Sequence, residues 1–170
     1  MIIYLIGSLR NPQVPIIAEQ LRAAGHEVFD DWYAAGPEAD DKWRDYEQAR
    51  GHSYIEGLSG LAANHVYRFD RTHLDRCEAA VLVLPAGRSG HLELGYVIGT
   101  GKPGYLLLDD SERWDVMYRF ADGVYYLVDE LVTALQPEPP LSQRYACAKC
   151  SGFSQTLFTH STPWCPCEWR

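Results

Sequence analysis

The segment Pro85–Gly95, PAGRSGHLELG, places one carboxylate behind a run of residues suited to holding an anion. Gly87 and Gly90 let a backbone approach a ligand closely. The amides at a helix N-terminus favour negative charge, and Arg88 and Ser89 add a guanidinium fork and a hydroxyl. Glu93 then falls in the first turn of the helix that the pattern SGHLELGYVIGTG predicts, where the helix dipole would stabilise its ionised form. An ionised, positioned carboxylate can attack an electrophilic sugar carbon. The same residues also read as an ordinary helix entry, with Ser89 as N-cap and Glu93 as a capping-box partner or a surface acid. The glycines match neither a P-loop nor GxGxxG.

A retaining glycosyl transfer needs a nucleophile and an acid, and both can be carboxyls about 5 Å apart. Asp70 is the candidate second carboxyl. It lies in YRFDRTHLDRCEAAVLVL, on the approach to an apolar run. Asp75 and Glu78 compete for that role, and each also reads as a capping or solvated helix residue.

The elements that must position these groups alternate regularly. IIYLI (2–6) reads as a buried strand ended by Gly7, and NPQVPIIAEQLRAAGH as a helix with its start and stop signals in place. EVFDDW (27–32), AAVLVL (79–84), GYLLLD (104–109) and GVYYLVD (123–129) read as further strands. Helical patterns follow in SGHLELGYVIGTG, SERWDVMYRFA and DELVTALQ. The stretch 33–70 reads as a long irregular insertion with helical segments, and insertions of this length are often functional. The alternation predicts an α/β fold: a doubly wound, five-stranded parallel sheet, flavodoxin-like, in the order 2-1-3-4-5. Ligands bind such sheets at the carboxyl ends of strands 1 and 3. The loops GSLRN (7–11) and PAGRSG (85–90) meet there.

Composition narrows the function classes. The chain of 170 residues is 46% hydrophobic and 22% charged, which suits one packed domain with a small appendage. Its net charge of −8 argues against an extended surface for nucleic acid, while a small anionic ligand stays compatible. MIIYLIGSLR carries no basic leader, and no run approaches the ~20 apolar residues of a membrane span. A cytoplasmic protein without a membrane partner is expected. QPEPPLS (136–142) reads as a linker, giving an α/β domain over 1–136, a Pro-rich linker over 137–144 and a Cys-rich segment over 145–170. In that segment Cys147, Cys150, Cys165 and Cys167 form C-x2-C-x14-C-x-C, which suits a structural zinc ion, with His160 able to replace one thiolate. A redox-active or disordered cysteine tail is the other reading. Cys77, ahead of a buried strand, reads as core.

The motifs YLIGSLRN (4–11), Asp70 ahead of strand 3, and GRSGHLELGYVIGTGKP (87–103) together resemble the nucleoside 2-deoxyribosyltransferase-like superfamily. That superfamily includes deoxyribosyltransferases and nucleoside 5′-monophosphate N-glycosidases, and the resemblance covers roughly residues 2–135. It implies that Glu93 is the nucleophile on C1′ of the sugar and that Asp70 contacts the base and assists its departure. It also places Gly7, Ser8 and Arg10 against the ligand, with Ser89 in the second loop, and implies a homo-oligomer. No cofactor is needed for catalysis. Transferases acting on free nucleosides carry an acidic residue about six positions before the nucleophile. Gly87 stands there instead, followed by Arg88 and Ser89, which suit a phosphate better than a bare 5′-hydroxyl. His91 reads equally as a second phosphate donor or a helix-surface residue. Trp32, Tyr33, Trp43 and Tyr54 could wall a base or simply fill a core. The expected small-molecule partner is therefore a nucleoside or nucleotide. An NAD-cleaving enzyme with a Toll/interleukin receptor-like fold and a non-catalytic nucleotide-sensing module are the alternatives.

Overall fold

The computed structural model describes residues 1–109 and 114–136. Most of the Pro-rich stretch, His160 and the cysteines Cys147, Cys150, Cys165 and Cys167 lie outside the described residues. The first compact unit of the chain spans Met1–Ala134.

Five strands form one parallel sheet: β1 (Ile2–Ile6), β2 (Glu27–Phe29), β3 (Ala79–Val83), β4 (Gly104–Leu107) and β5 (Gly123–Tyr125). Their order is β2-β1-β3-β4-β5, the order expected from the alternation. The two central strands are the most uniformly apolar. All of β3 is buried, as is β1 from Ile3 to Ile6. A continuous apolar run of this kind fits a strand covered on both faces.

Among the described residues, five α-helices lie between the strands, α1 (Gln13–Ala23), α2 (Ala39–Ala49), α3 (Tyr54–Leu58), α4 (Leu61–Arg76) and α5 (Arg88–Gly99), and α6 (Val128–Leu135) follows β5. In α1 the buried residues are Val14, Ile17, Ala18 and Leu21, the spacing of a single helical face. Tyr4, Ile6, Ala80, Leu82 and Leu106 alternate along their strands and pack with Leu74 of α4 and with Leu94 and Val97 of α5. Both helices thus lie on the same face of the sheet.

The insertion over 33–70 is mostly helical. β2 stops at Phe29, and Asp31–Ala35 turns into a 3₁₀ helix. α2 follows, and Ser53 with Glu56 builds a reciprocal capping box that starts α3. α4 then carries Asp70, placing it on a helix rather than on an irregular approach to β3. The segment ahead of β5 forms a 3₁₀ helix over Val116–Phe120.

α5 lies unusually close to the sheet. A Cβ on Gly90 would come within 3.0 Å of Ile6 Cγ2 and 3.1 Å of Leu82 Cδ1. One on Gly104 would come within 2.6 Å of Ile98 Cγ1 and 2.8 Å of Leu94 Cδ1. α4 and α5 are also tied together at their C-terminal halves. Tyr96 donates its hydroxyl hydrogen to Asp75, and the Arg71 guanidinium sits 4.1 Å from the Tyr96 ring centroid. Lys102 Nζ donates to the carbonyls of Leu74 and Asp75, at 3.0 and 2.6 Å, closing the end of α4 where cations are favoured. Gly104→Ala should therefore lower stability by about 1–3 kcal/mol through overpacking. Urea denaturation would show this as a lower midpoint at unchanged slope, and an unchanged midpoint would contradict the close seating.

Candidate active site

Three side chains from three elements converge over β1. Tyr4 stands mid-strand and is 1% exposed. Asp70 comes from α4 and Glu93 from α5, the two helices that flank it, and both carboxylates are half-buried. Burial, then the charge of Asp70, pushes the Glu93 carboxyl up to about 7. Burial also raises Asp70, and a hydrogen bond from the Tyr4 hydroxyl with the nearby charge of His73 partly opposes that rise. Asp70 Oδ1 is buried and has no hydrogen-bond partner among the described residues. The Tyr4 phenol is held protonated by burial first, and then by the charges of Glu93 and Asp70.

The Glu93 environment corrects the sequence expectation. α5 begins at Arg88, so Glu93 lies in its second turn, past the strongest part of the dipole. Desolvation and the neighbouring carboxylate therefore win, and the neutral form is favoured. The charge of Asp70 adds to burial in disfavouring the Glu93 carboxylate, so ionisation of the two groups is linked.

The competing acids are occupied elsewhere. Glu78 accepts a hydrogen bond from the Ile2 backbone N–H at 2.6 Å, at the opposite end of the strands. Asp75 binds Tyr96 and Arg71, and these two hold its carboxyl below the usual range.

The two loops at the carboxyl ends of β1 and β3 are joined by Asn11. This side chain is 3% exposed and donates from Nδ2 to the Leu84 and Pro85 carbonyls, at 3.2 and 3.5 Å. Its Oδ1 accepts from the Gln13 N–H at 3.0 Å. Ser8 Oγ accepts from the Arg10 N–H, and the Arg10 side chain pairs with Asp41 of α2. In the second loop the N-cap is Gly87 rather than Ser89, and no side chain caps α5. Arg88 and Ser89 are exposed in its first turn, where backbone N–H groups also lack helical acceptors.

Gly7 and Trp32 come together. A Cβ on Gly7 would lie 2.5 Å from Val14 Cγ2 and 3.6 Å from Trp32 Cη2, so close packing demands glycine there. Trp32 Nε1 donates to the Leu5 carbonyl at 2.8 Å, which fixes the indole beside the end of β1. Trp43 packs instead within the insertion, edge-on to Tyr54 and against Gly57. Its Nε1 is buried without a partner among the described residues. His91 is exposed and engaged away from the carboxylates, with Nδ1 at 2.9 Å from the Gly87 carbonyl and Nε2 at 3.2 Å from the Tyr118 hydroxyl.

Two of these residues escaped the sequence reading. Tyr4 looked like one more apolar residue in a strand. Its only signal was a hydroxyl in an otherwise aliphatic run. Asn11 looked like part of a loop, with a helix-start context as its only mark. Among the described residues no group of three or more potential metal ligands occurs. No helix there is long and apolar enough to cross a membrane.

The raised Glu93 carboxyl has a consequence for stability. Its folded pKa of about 7 lies above its ordinary value of 4.5, so the folded state holds the extra proton between those values. Stability is then lost as pH rises through that window and stays reduced above it. Glu93→Gln, which is permanently neutral, should be more stable than the parent at pH 8, by up to about 3 kcal/mol. At pH 4 the two should be equal. Thermal melts across pH would check this, and a stability difference that does not vary with pH would refute the burial argument.

No family model matches the chain, and no curated protein does. The solved structures similar to it include two enzymes. One is the 2-deoxyribosyltransferase of the psychrotolerant bacterium Bacillus psychrosaccharolyticus, at 18% identity over 78% of this chain and 90% of that one, with a TM-score of 0.54. The other is the CMP N-glycosidase of Clostridium botulinum, at 16% identity over 79% of this chain and 98% of that one, with a TM-score of 0.46. The fold of this chain is thus that of a 2-deoxyribosyltransferase.

Proposed function

We propose that the protein cleaves or transfers the N-glycosidic bond of a (deoxy)nucleoside 5′-monophosphate through a covalent glycosyl–Glu93 intermediate. The observation that carries this reading is the Glu93–Asp70 pair, two half-buried carboxyls sharing one environment above Tyr4. Glu93, as carboxylate, forms a bond to C1′ while the C1′–N bond breaks. Asp70, protonated in the reactive form, gives its proton to the departing base. Its unpartnered Oδ1 is a buried position that a base nitrogen would satisfy. Water or a second base then attacks C1′ and releases Glu93, and the proton lost by the acceptor returns to the pair.

The phosphate would lie between the loops that Asn11 joins. Ser8 and Arg10 come from the first loop, and Arg88, Ser89 and the uncapped amides of α5 from the second. Gly87 presents no side chain, so the second loop adds no carboxylate of its own that would repel a dianion. Trp32 supplies an aromatic edge next to Gly7.

Released base should be measured by chromatography over a panel of nucleosides and 5′-monophosphates, with and without an acceptor base. Glu93→Gln should lose turnover on every substrate. Full activity in that variant would sink the mechanism. A 2-fluoro-substituted substrate should leave a sugar adduct on Glu93, detectable by mass spectrometry. Because Glu93 attacks as the carboxylate and burial pushes its carboxyl up to about 7, kcat/KM should rise as pH rises through about 7. Asp70→Asn should slow base release by about 10²–10⁴-fold, the usual range for a lost proton donor, and by removing a charge that raises Glu93 should move that rise to lower pH.

A further inference from the structure

The first phosphate-side arginine is already paired. Arg10 Nη2 lies 2.7 Å from Asp41 Oδ2, and Asp41 Oδ1 lies 3.0 Å from Arg44 Nη1. Asp41 stands in the first turn of α2, so this contact ties the insertion to the loop that follows β1. Both partners are substantially exposed, 61% for Arg10 and 46% for Asp41, and an exposed pair of this kind is weak. We propose that Asp41 is a specificity-determining residue, an internal stand-in for the substrate's 5′-phosphate that holds the Arg10 guanidinium until that phosphate displaces it.

The exchange is favourable on the charges present. A phosphate monoester brings close to two negative charges and can meet the guanidinium fork with two oxygens, whereas Asp41 contacts it through one. Asp41 is not stranded when it lets go, because Arg44 remains beside it. Arg44 is in turn steadied by Asp45, at 2.9 and 2.8 Å. A nucleoside with a bare 5′-hydroxyl carries no charge with which to compete, so the pair stays closed. The pair thus makes Arg10 answer to an anion rather than to a hydroxyl. This inference rests on the proposed nucleotide reading of the same site, and its test is separable from that reading.

Ribose 5-phosphate and ribose should be titrated calorimetrically into the full chain, into Asp41→Asn, into Arg10→Gln and into the double variant. Asp41→Asn removes both the competitor and a nearby negative charge. Ribose 5-phosphate should then bind about three- to tenfold tighter, with no gain in the Arg10→Gln background. Asp41→Ala provides a second variant with the same expected sign. In turnover, the ratio of kcat/KM for the monophosphate over its nucleoside should rise by the same factor. Unchanged or weaker binding in both Asp41 variants overturns the proposal, as does a gain that survives without Arg10. So does ribose 5-phosphate that fails to bind any of the proteins. Tighter binding with no glycosidic cleavage by any variant would leave this inference standing and remove the catalytic reading. Glu93-dependent cleavage of nucleotides with no effect at Asp41 would do the reverse.

Discussion

Two carboxylates above a buried phenol repel each other, and the surrounding structure has to hold them together. Burial raises both, and each added negative charge costs more because water is excluded. The restraint comes from the other end of the same two helices. Asp75 and Tyr96, together with Arg71 and Lys102, join the C-terminal halves of α4 and α5, where opposite charges meet favourably. Gly90 and Gly104 then let α5 settle onto β1, β3 and β4 without an intervening Cβ. Favourable contacts at one end of the helix pair thus offset the charge repulsion at the other.

This division explains the motif residues around Glu93. In E-L-G-Y, Leu94 enters the core and Tyr96 reaches back to α4. In G-K-P, Lys102 closes the end of α4, and the Pro103 carbonyl accepts the Ala80 N–H. One short stretch of chain therefore carries the carboxylate and the means of keeping it beside Asp70. The same logic holds across the crevice, where buried Asn11 links the turn after β1 to the turn after β3.

The sheet was legible because its signals are local. Uninterrupted apolar runs in β1 and β3 and regular helix spacing dictate the order of elements and the position of the crevice. Glu93 and Asp70 were legible as residues, through pattern and resemblance, but their electrostatics were not. The dipole argument for an ionised Glu93 failed because helix phase depends on where α5 starts, and Gly87, not Ser89, is the N-cap. The role of Tyr4 was hidden because a phenol in an aliphatic strand reads as core until α4 and α5 are laid over it. Trp43 was ambiguous for another reason. Its aromatic character fits a ligand wall or a core alike, and the structure packs it against Tyr54 and Gly57 inside the insertion.

The insertion relates to the sheet differently from α5. Its internal contacts are substantial: the Ser53–Glu56 capping box, the buried Glu47 held 2.6 Å from His52, and the Trp43–Tyr54 contact. Among the described residues, the hydrogen-bonded tie from α2 to the loop after β1 is one exposed ion pair, Arg10–Asp41. Carboxylates that must keep a fixed separation are mounted on helices pressed to the sheet. The residues that would sense the charged end of a ligand sit where a single weak contact can be exchanged. That arrangement keeps Glu93 and Asp70 in register while α2 stays able to respond, since segments with fewer packed contacts open at lower free energy than the core. Strengthening the Arg10–Asp41 contact would trade away that response without improving the geometry at Glu93.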